Sequence, residues 1–236
     1  MPRPWITLLA GLALVALLVG LIVWGATSAP PAPASRPPGA ASAHAAEARA
    51  TLEGIAADSA RWMPDELRGV YLGMGVDALR AARPAMRDGR DSRADAPLWE
   101  ETLGSGARVI AHGAPRARVV VKVQMLSRLE DVTSLRGHFE ALRARYGDPT
   151  GFWDCPERPD ASPVRRITWR GAYATLMEAI LVYGGGASVT LVVSANADVA
   201  RALAASACVP VTAETLARWP IARVLRGERV EVMDLR

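Results

Sequence analysis

Residues 164–194 have the sequence VRRITWRGAYATLMEAILVYGGGASVTLVVS, which predicts three consecutive β-strands. The expected strands are Val164–Trp169, Tyr173–Tyr183 and Ala187–Ser194, all rich in β-branched and aromatic residues. Gly171 and the glycine triplet 184–186 separate them as turns. A strand follows the triplet directly, so the triplet is expected to form a hairpin turn and not a phosphate-binding loop. Connections this short join antiparallel neighbours.

The same order of elements occurs earlier in the chain. A helix predicted at about 131–146 precedes these strands, and a shorter helix near Val76 precedes an earlier set of strands. The earlier strands are expected at Leu98–Leu103, Ala107–His112 and Ala117–Leu126. Two tandem helix-plus-three-strand units indicate an α+β fold, with one antiparallel sheet and its helices packed on one face.

Residues 6–25, ITLLAGLALVALLVGLIVWG, contain no charge and are apolar on every helical face. As a helix they would span roughly 30 Å, the hydrocarbon thickness of a bilayer. Arg3 precedes the run and no basic residue follows before Arg36, which predicts a cytoplasmic N-terminus. We therefore expect a single-pass transmembrane anchor in the inner membrane and a periplasmic C-terminal domain. A cleaved secretory signal is the alternative, because small residues follow at 26–29.

Composition changes along the chain predict five segments. They are a membrane anchor at 1–26, a Pro/Ala-rich linker at 27–43, a helical lead-in at 44–68, the tandem domain at 69–194, and C-terminal helices with a short hairpin at 195–236 that pack on the domain. Dense prolines favour an extended spacer in the linker. The net charge of +4 is spread along the chain, and Lys122 is the single lysine. Without a dense basic run, we expect no nucleic-acid partner.

The two cysteines, Cys155 and Cys208, would face an oxidising compartment, where a disulfide is the default. Two free thiols are an alternative. A catalytic thiol would need a neighbouring base, and the only histidines are His44, His112 and His138. No two histidines or cysteines have the close spacing of metal ligands. We therefore expect no catalytic residue, no metal and no cofactor.

Possible partner contacts lie near Cys155. Trp153 falls in a Gly/Pro-rich loop, where an exposed indole would contact a partner strongly. Arg165, Arg166 and Arg170 straddle the predicted strand at 164–169. Their guanidinium groups suit carboxylate or phosphate, although a solvated face is the simpler interpretation. These four residues are the expected contacts with an envelope protein.

Two glycine-containing motifs resemble those of a known family. In the first motif, Leu72-Gly73-Met74 is followed by a short helix and Pro84. In the second, Tyr146-Gly147-Asp148-Pro149 is followed by Trp169. Both motifs resemble the unit of the small outer-membrane assembly lipoproteins (SmpA/OmlA, BamE-like). The β-lactamase inhibitor protein carries similar units in tandem. The resemblance covers about 69–194 and implies a non-catalytic fold. The acylated cysteine of the lipoproteins is missing here, and Gly75 replaces the usual capping Ser or Thr.

The functional expectation is a membrane-anchored periplasmic, non-catalytic interaction or scaffolding module. Its partner would be an envelope protein, and its oligomeric state is left open. One alternative is an enzyme that acts on an envelope polymer through paired carboxylates, with Glu100/Glu101 or Asp154/Glu157 as the candidate pairs. Adjacent carboxylates are ordinarily surface charge. The other alternative is a ligand-sensing ectodomain.

Overall fold

A computed structural model of the chain describes residues 38–156 and 164–228. The predicted anchor at 6–25 and most of the predicted linker lie outside these residues. None of the described helices is both long and apolar enough to cross a membrane. The chain divides into two units, Met1–Glu47 and Ala48–Arg236. The described part of the first unit, residues 38–47, is helical.

The described residues form six α-helices and nine β-strands. The helices are α1 (Pro38–Trp62), α2 (Val76–Ala82), α3 (Ser134–Tyr146), α4 (Asn196–Ala205), α5 (Ala213–Leu216) and α6 (Pro220–Leu225). The strands are β1 (Arg87–Asp88), β2 (Leu98–Thr102), β3 (Arg108–Gly113), β4 (Val120–Leu129), β5 (Gly151–Cys155), β6 (Val164–Arg170), β7 (Ala174–Tyr183), β8 (Gly186–Ala195) and β9 (Val209–Pro210). A 3-10 turn lies at Asp65–Leu67.

All nine strands belong to one antiparallel sheet with the order β1-β2-β3-β4-β8-β7-β6-β5-β9. A four-stranded meander follows α2, and a second follows α3. The last strands of the two meanders, β4 and β8, pair at the centre from Lys122–Ser194 to Leu129–Ala187. The two halves therefore form one continuous sheet.

The predicted fold class, two helix-plus-three-strand units with the helices on one face of the sheet, is wrong. Each half contributes four strands instead of three, and β9 adds a ninth. The missed strands β1, β5 and β9 have two to five residues, and strands this short form through pairing with a neighbour more than through their own pattern. Helices lie on both faces of the sheet, because α4 packs opposite α3. No transmembrane helix is found among the described residues.

The face of the sheet that carries α3 is called the first face, and it holds the main core. Helix α3 buries Leu135, Phe139, Leu142 and Tyr146, which recur at helical spacing and form one stripe. Trp169 of β6 packs between two of them, with ring centroids 6.3 Å from Phe139 and 6.4 Å from Tyr146. Its indole Nε1 donates a hydrogen bond of 2.9 Å to the carbonyl oxygen of Gly147. The indole is therefore both packed and satisfied.

Helix α1 begins at Pro38, earlier than the predicted start near His44. Its C-terminal half is fixed to the sheet through Asp58. The Asp58 carboxylate accepts hydrogen bonds from the backbone amides of Tyr173 at 2.7 Å and Ala174 at 2.8 Å. It also accepts one from the Trp62 indole at 3.2 Å. Residues 46–53 of the same helix are exposed on every side.

Candidate functional site

The opposite side of the sheet, called the second face, is only partly covered. In the paired parts of β2–β4, the residues whose side chains lie on the first face are buried, namely Trp99, Glu101, Val109, Ala111, Val123 and Met125. The alternating second-face residues of the same strands are all half-buried or exposed, namely Leu98, Glu100, Thr102, Arg108, Ile110, His112, Lys122, Gln124 and Leu126. The second face is therefore open over this half of the sheet.

Over the other half, α4 covers β7 and β8. Val199 and Leu203 of α4 form a small apolar cluster with Met177 and Val192 of the sheet. Asn196 joins the first turn of α4 to the β6–β7 turn. The Asn196 amide donates to the carbonyl oxygens of Gly171 and Ala172 at 3.1 and 3.0 Å. Its oxygen accepts from the Thr175 hydroxyl at 2.6 Å.

The other end of α4 is held covalently. The structure brings the sulfur atoms of Cys155 and Cys208 to disulfide-bond distance, the pairing expected from the sequence. Cys155 ends β5 and is completely buried, and Cys208 follows the C-terminus of α4. Helix α4 is therefore fastened to the second face at both ends.

A groove of about 660 Å³ lies beside α4 on the second face and is lined by residues of β3 and β4 and of β6, β7 and β8. Its floor follows the strand register, with Lys122 opposite both His112 and Ser194, and Gln124 opposite Val192. Asp198 and Arg201 of α4 line the rim. Arg166 of β6 also lines the groove, and its guanidinium group donates to the Ser206 hydroxyl at 3.3 Å. The floor is thus mixed in character, with polar groups from β3, β4, β6 and β8 beside apolar groups of the small cluster.

The electrostatics of the groove centre on Lys122. Burial lowers the pKa of the Lys122 amine, and Asp198 partly opposes that shift. Burial also lowers the pKa of His112, with a further lowering contribution from Lys122. The hydrogen bond of 2.7 Å between His112 Nε2 and Gln124 Oε1 acts in the opposite direction. Asp198 itself pairs with Arg201 at 3.1 Å.

The structure divides the four predicted partner contacts between the faces. Trp153 and Arg166 lie opposite each other on β5 and β6, on the second face, and Arg170 follows on that face. Trp153 and Arg170 line a smaller cavity of about 300 Å³ on the other side of α4. Arg165 points to the first face, where it is buried and pairs with Asp154 at 3.0 Å. Burial lowers the pKa of Arg165, and Asp154 raises it.

The carboxylate pairs proposed for an enzyme do not converge among the described residues. Glu100 and Glu101 alternate between the two faces, and they pair with Arg108 and Arg83 respectively. Asp154 accepts from the Trp219 indole at 2.8 Å in addition to Arg165, whereas Glu157 lies outside the described residues. Across residues 38–156 and 164–228, no three His, Cys, Asp or Glu side chains are grouped as metal ligands would be.

Sequence reasoning missed two features. Glu178 of β7 is fully buried on the first face, with its Oε1 3.1 Å from Nε2 of His138 on α3. Nothing in the local pattern distinguishes this glutamate from a solvent-facing one. The groove lysine did have a signal, because Lys122 and Gln124 alternate with the apolar Val123 and Met125. That alternation indicates a strand with one polar face.

Comparison with known proteins finds no match. No protein-family model matches the chain, and neither a curated protein nor a solved structure does so. The resemblance to the small assembly lipoproteins and to the β-lactamase inhibitor protein therefore stays a prediction.

Proposed function

We propose that this chain is a membrane-anchored, periplasmic, non-catalytic interaction module that contacts an envelope protein through the second face of its sheet. The observation that carries the proposal is the contrast in burial within β2–β4. The residues on their first face are buried, whereas those on their second face remain accessible. An open face beside a fixed helix offers a rigid, preformed surface for a partner.

Two features support an exported location. The apolar run at 6–25 has the length and the flanking charge of a membrane anchor. The paired cysteines Cys155 and Cys208 are typical of an oxidising compartment. Both features agree with a domain held at the outer surface of the inner membrane.

Charge indicates an acidic surface on the partner protein. The described second face carries two acids near the groove, and each is already paired with an arginine, Glu100 with Arg108 and Asp198 with Arg201. Lys122 and Arg170 add positive charge to the same face. Trp153 adds an amphipathic aromatic ring of the kind enriched at interfaces. An acidic partner surface complements this face.

Cross-linking in intact cells tests the proposal. A photoactivatable residue replaces Val121, which is 36% exposed and lines the groove, in the full-length chain. The control replaces Arg68, whose side chain is 85% exposed and far from the groove in sequence. We expect a discrete adduct from position 121 alone, and the purified adduct partner should bind the purified chain directly. Equal labelling from both positions, or none from position 121, would contradict the proposal.

The location is tested separately by protease treatment of spheroplasts. The chain should fractionate with the inner membrane, and external protease should degrade its C-terminal domain. A domain that is degraded only after the membrane is lysed would contradict the periplasmic location.

A further inference from the structure

We propose that the groove beside α4 binds a carboxylate side chain of the partner protein, with the ammonium group of Lys122 as its counter-ion. The inference rests on the proposed function, since it assumes that the partner docks on the second face. It adds the chemical group that the groove binds, a carboxylate, and the residue that recognises this group, Lys122.

The first step is the position of Lys122. It lies near the start of β4, where the strand register places it between His112 on β3 and Ser194 on β8. Further along the floor, Thr190 and Ala179 are small residues, which leaves room in the groove for a side chain. Its volume of about 660 Å³ is in the usual range of ligand sites.

The second step is the unbalanced charge. No hydrogen bond or ion pair joins the Lys122 amine to another described residue. Its partial burial opposes the charged form, as the lowered pKa shows. The acid that acts on it electrostatically, Asp198, is already paired with Arg201. A bound carboxylate would restore the interactions that the ammonium group loses on leaving water.

The third step is the selection of a carboxylate. The strand residues next to Lys122 are neutral donors and acceptors, namely the amide of Gln124, the hydroxyl of Ser194 and the imidazole of His112. Two arginines also line the groove, and each is engaged by another side chain: Arg201 pairs with Asp198 at 3.1 Å, and Arg166 donates to the Ser206 hydroxyl at 3.3 Å. Because both arginines already have partners, the Lys122 ammonium group is the cation left to meet a ligand, and a single ammonium group matches a monoanion. Phosphate sites are usually built from several cationic groups or from arginine forks. The groove is therefore better suited to an aspartate or glutamate side chain.

The single lysine makes a direct test possible. Reductive methylation with ¹³C-formaldehyde retains the positive charge and labels only Lys122 and the N-terminal amine. The labelled full-length chain in detergent is titrated with acetyl-(Glu-Val)₄-amide and with the uncharged analogue acetyl-(Gln-Val)₄-amide. We expect the glutamate peptide to shift the dimethyl-Lys122 signal and raise the pKa of its amine. The glutamine peptide should change neither.

Matched variants separate groove chemistry from general attraction. Unlabelled Lys122→Met should weaken glutamate-peptide binding by about tenfold, the loss of one favourable charge pair. Arg128→Met removes the same charge from the same strand and face but lies outside the groove, so it should weaken binding less than about twofold. Lys122→Gln serves as a second variant if Lys122→Met fails to fold.

Three results would overturn the inference: no signal shift with the glutamate peptide, an equal shift with the glutamine peptide, or equal losses in the Lys122 and Arg128 variants. Failure of the proposed function gives a different result. If position 121 cross-links a partner whose binding ignores Lys122, the function stands and the carboxylate inference fails. If position 121 captures no partner, the function itself fails.

Discussion

The two faces of the sheet differ in how much of their surface is covered by helices. On the first face, α3 and α6 cover a continuous core that includes Trp169, Leu176 and Ile180. On the second face, one helix covers β7 and β8, and the strands of the other half remain open. Stability is therefore expected to depend mainly on the first face, and binding on the second. The predictions below test that division, from the largest expected effect to the smallest.

A tryptophan pair gives the sharpest contrast. Trp169→Ala removes a ring that is 1% exposed, together with its hydrogen bond to Gly147, and should lower the free energy of unfolding by about 5 kcal/mol. Trp153→Ala removes a half-buried ring from the second face and should lower it by about 1–2 kcal/mol. Urea titrations followed by circular dichroism measure both values. Similar losses in the two variants would break the division between the faces.

The disulfide is the main stabilising element that reaches the second face. The replacement of Cys155 and Cys208 by serine opens a loop with a sequence separation of 53 residues. In the chain-entropy model this should destabilise the fold by about 4 kcal/mol. Thermal unfolding with and without reductant measures the effect. Reductant should destabilise the wild-type chain and leave the double variant unchanged. A wild-type chain whose thermal unfolding does not change with reductant would contradict a stabilising disulfide between the two cysteines.

Asp58 should make a smaller contribution at the junction of α1 with the sheet. Asp58→Ala leaves the amides of Tyr173 and Ala174 without their acceptor and should lower the free energy of unfolding by about 2 kcal/mol. Glu53→Ala, at an exposed position of the same helix, is the matched control and should change stability by less than about 0.5 kcal/mol. Chemical denaturation compares the two, and equal effects would exclude the proposed role of Asp58.

The smallest effect is a pH dependence from His112. Its pKa is lowered in the folded chain, mainly by burial, so the unfolded state binds a proton at higher pH than the folded state does. The contribution of His112 to stability is therefore fully present above its unfolded-state pKa of 6.5, and it is lost as the pH falls through its lowered folded-state pKa. His112→Gln should show a shallower loss of stability on acidification than the wild-type chain. An identical pH profile of stability for the two chains would contradict a contribution of His112 to the pH dependence.

Local patterns predicted the well-marked strands and the longer helices, and missed what depends on tertiary pairing. Runs rich in β-branched and aromatic residues located β6, β7 and β8, and helical spacing located α3. The short strand β5 was expected as a loop, because Gly151 and the nearby Pro149 are typical of turns. It forms a strand because β6 pairs along its full length.

The site was harder to predict than the fold, because a helix pattern does not specify which face of a sheet the helix covers. Helix α4 was expected among the C-terminal helices, but nothing local indicates that it crosses to the second face. Two neighbouring arginines of β6 also show that the sequence alone does not specify the face on which a residue lies. Consecutive residues of a strand point to opposite faces, so Arg165 and Arg166 separate once β6 forms. Only the sheet's register shows which of them reaches the groove.

The most direct test of the account measures stability and binding in the same variant, Lys122→Met. Because partial burial disfavours the charged amine, the free energy of unfolding at pH 7 should be unchanged or higher than in the wild-type chain. The adduct formed from position 121 in intact cells should be lost, whereas Arg128→Met should retain it. A Lys122→Met chain that is clearly destabilised would contradict the division of roles between the two faces. A Lys122→Met chain that cross-links its partner as well as the wild-type chain does would contradict the role of Lys122 in binding.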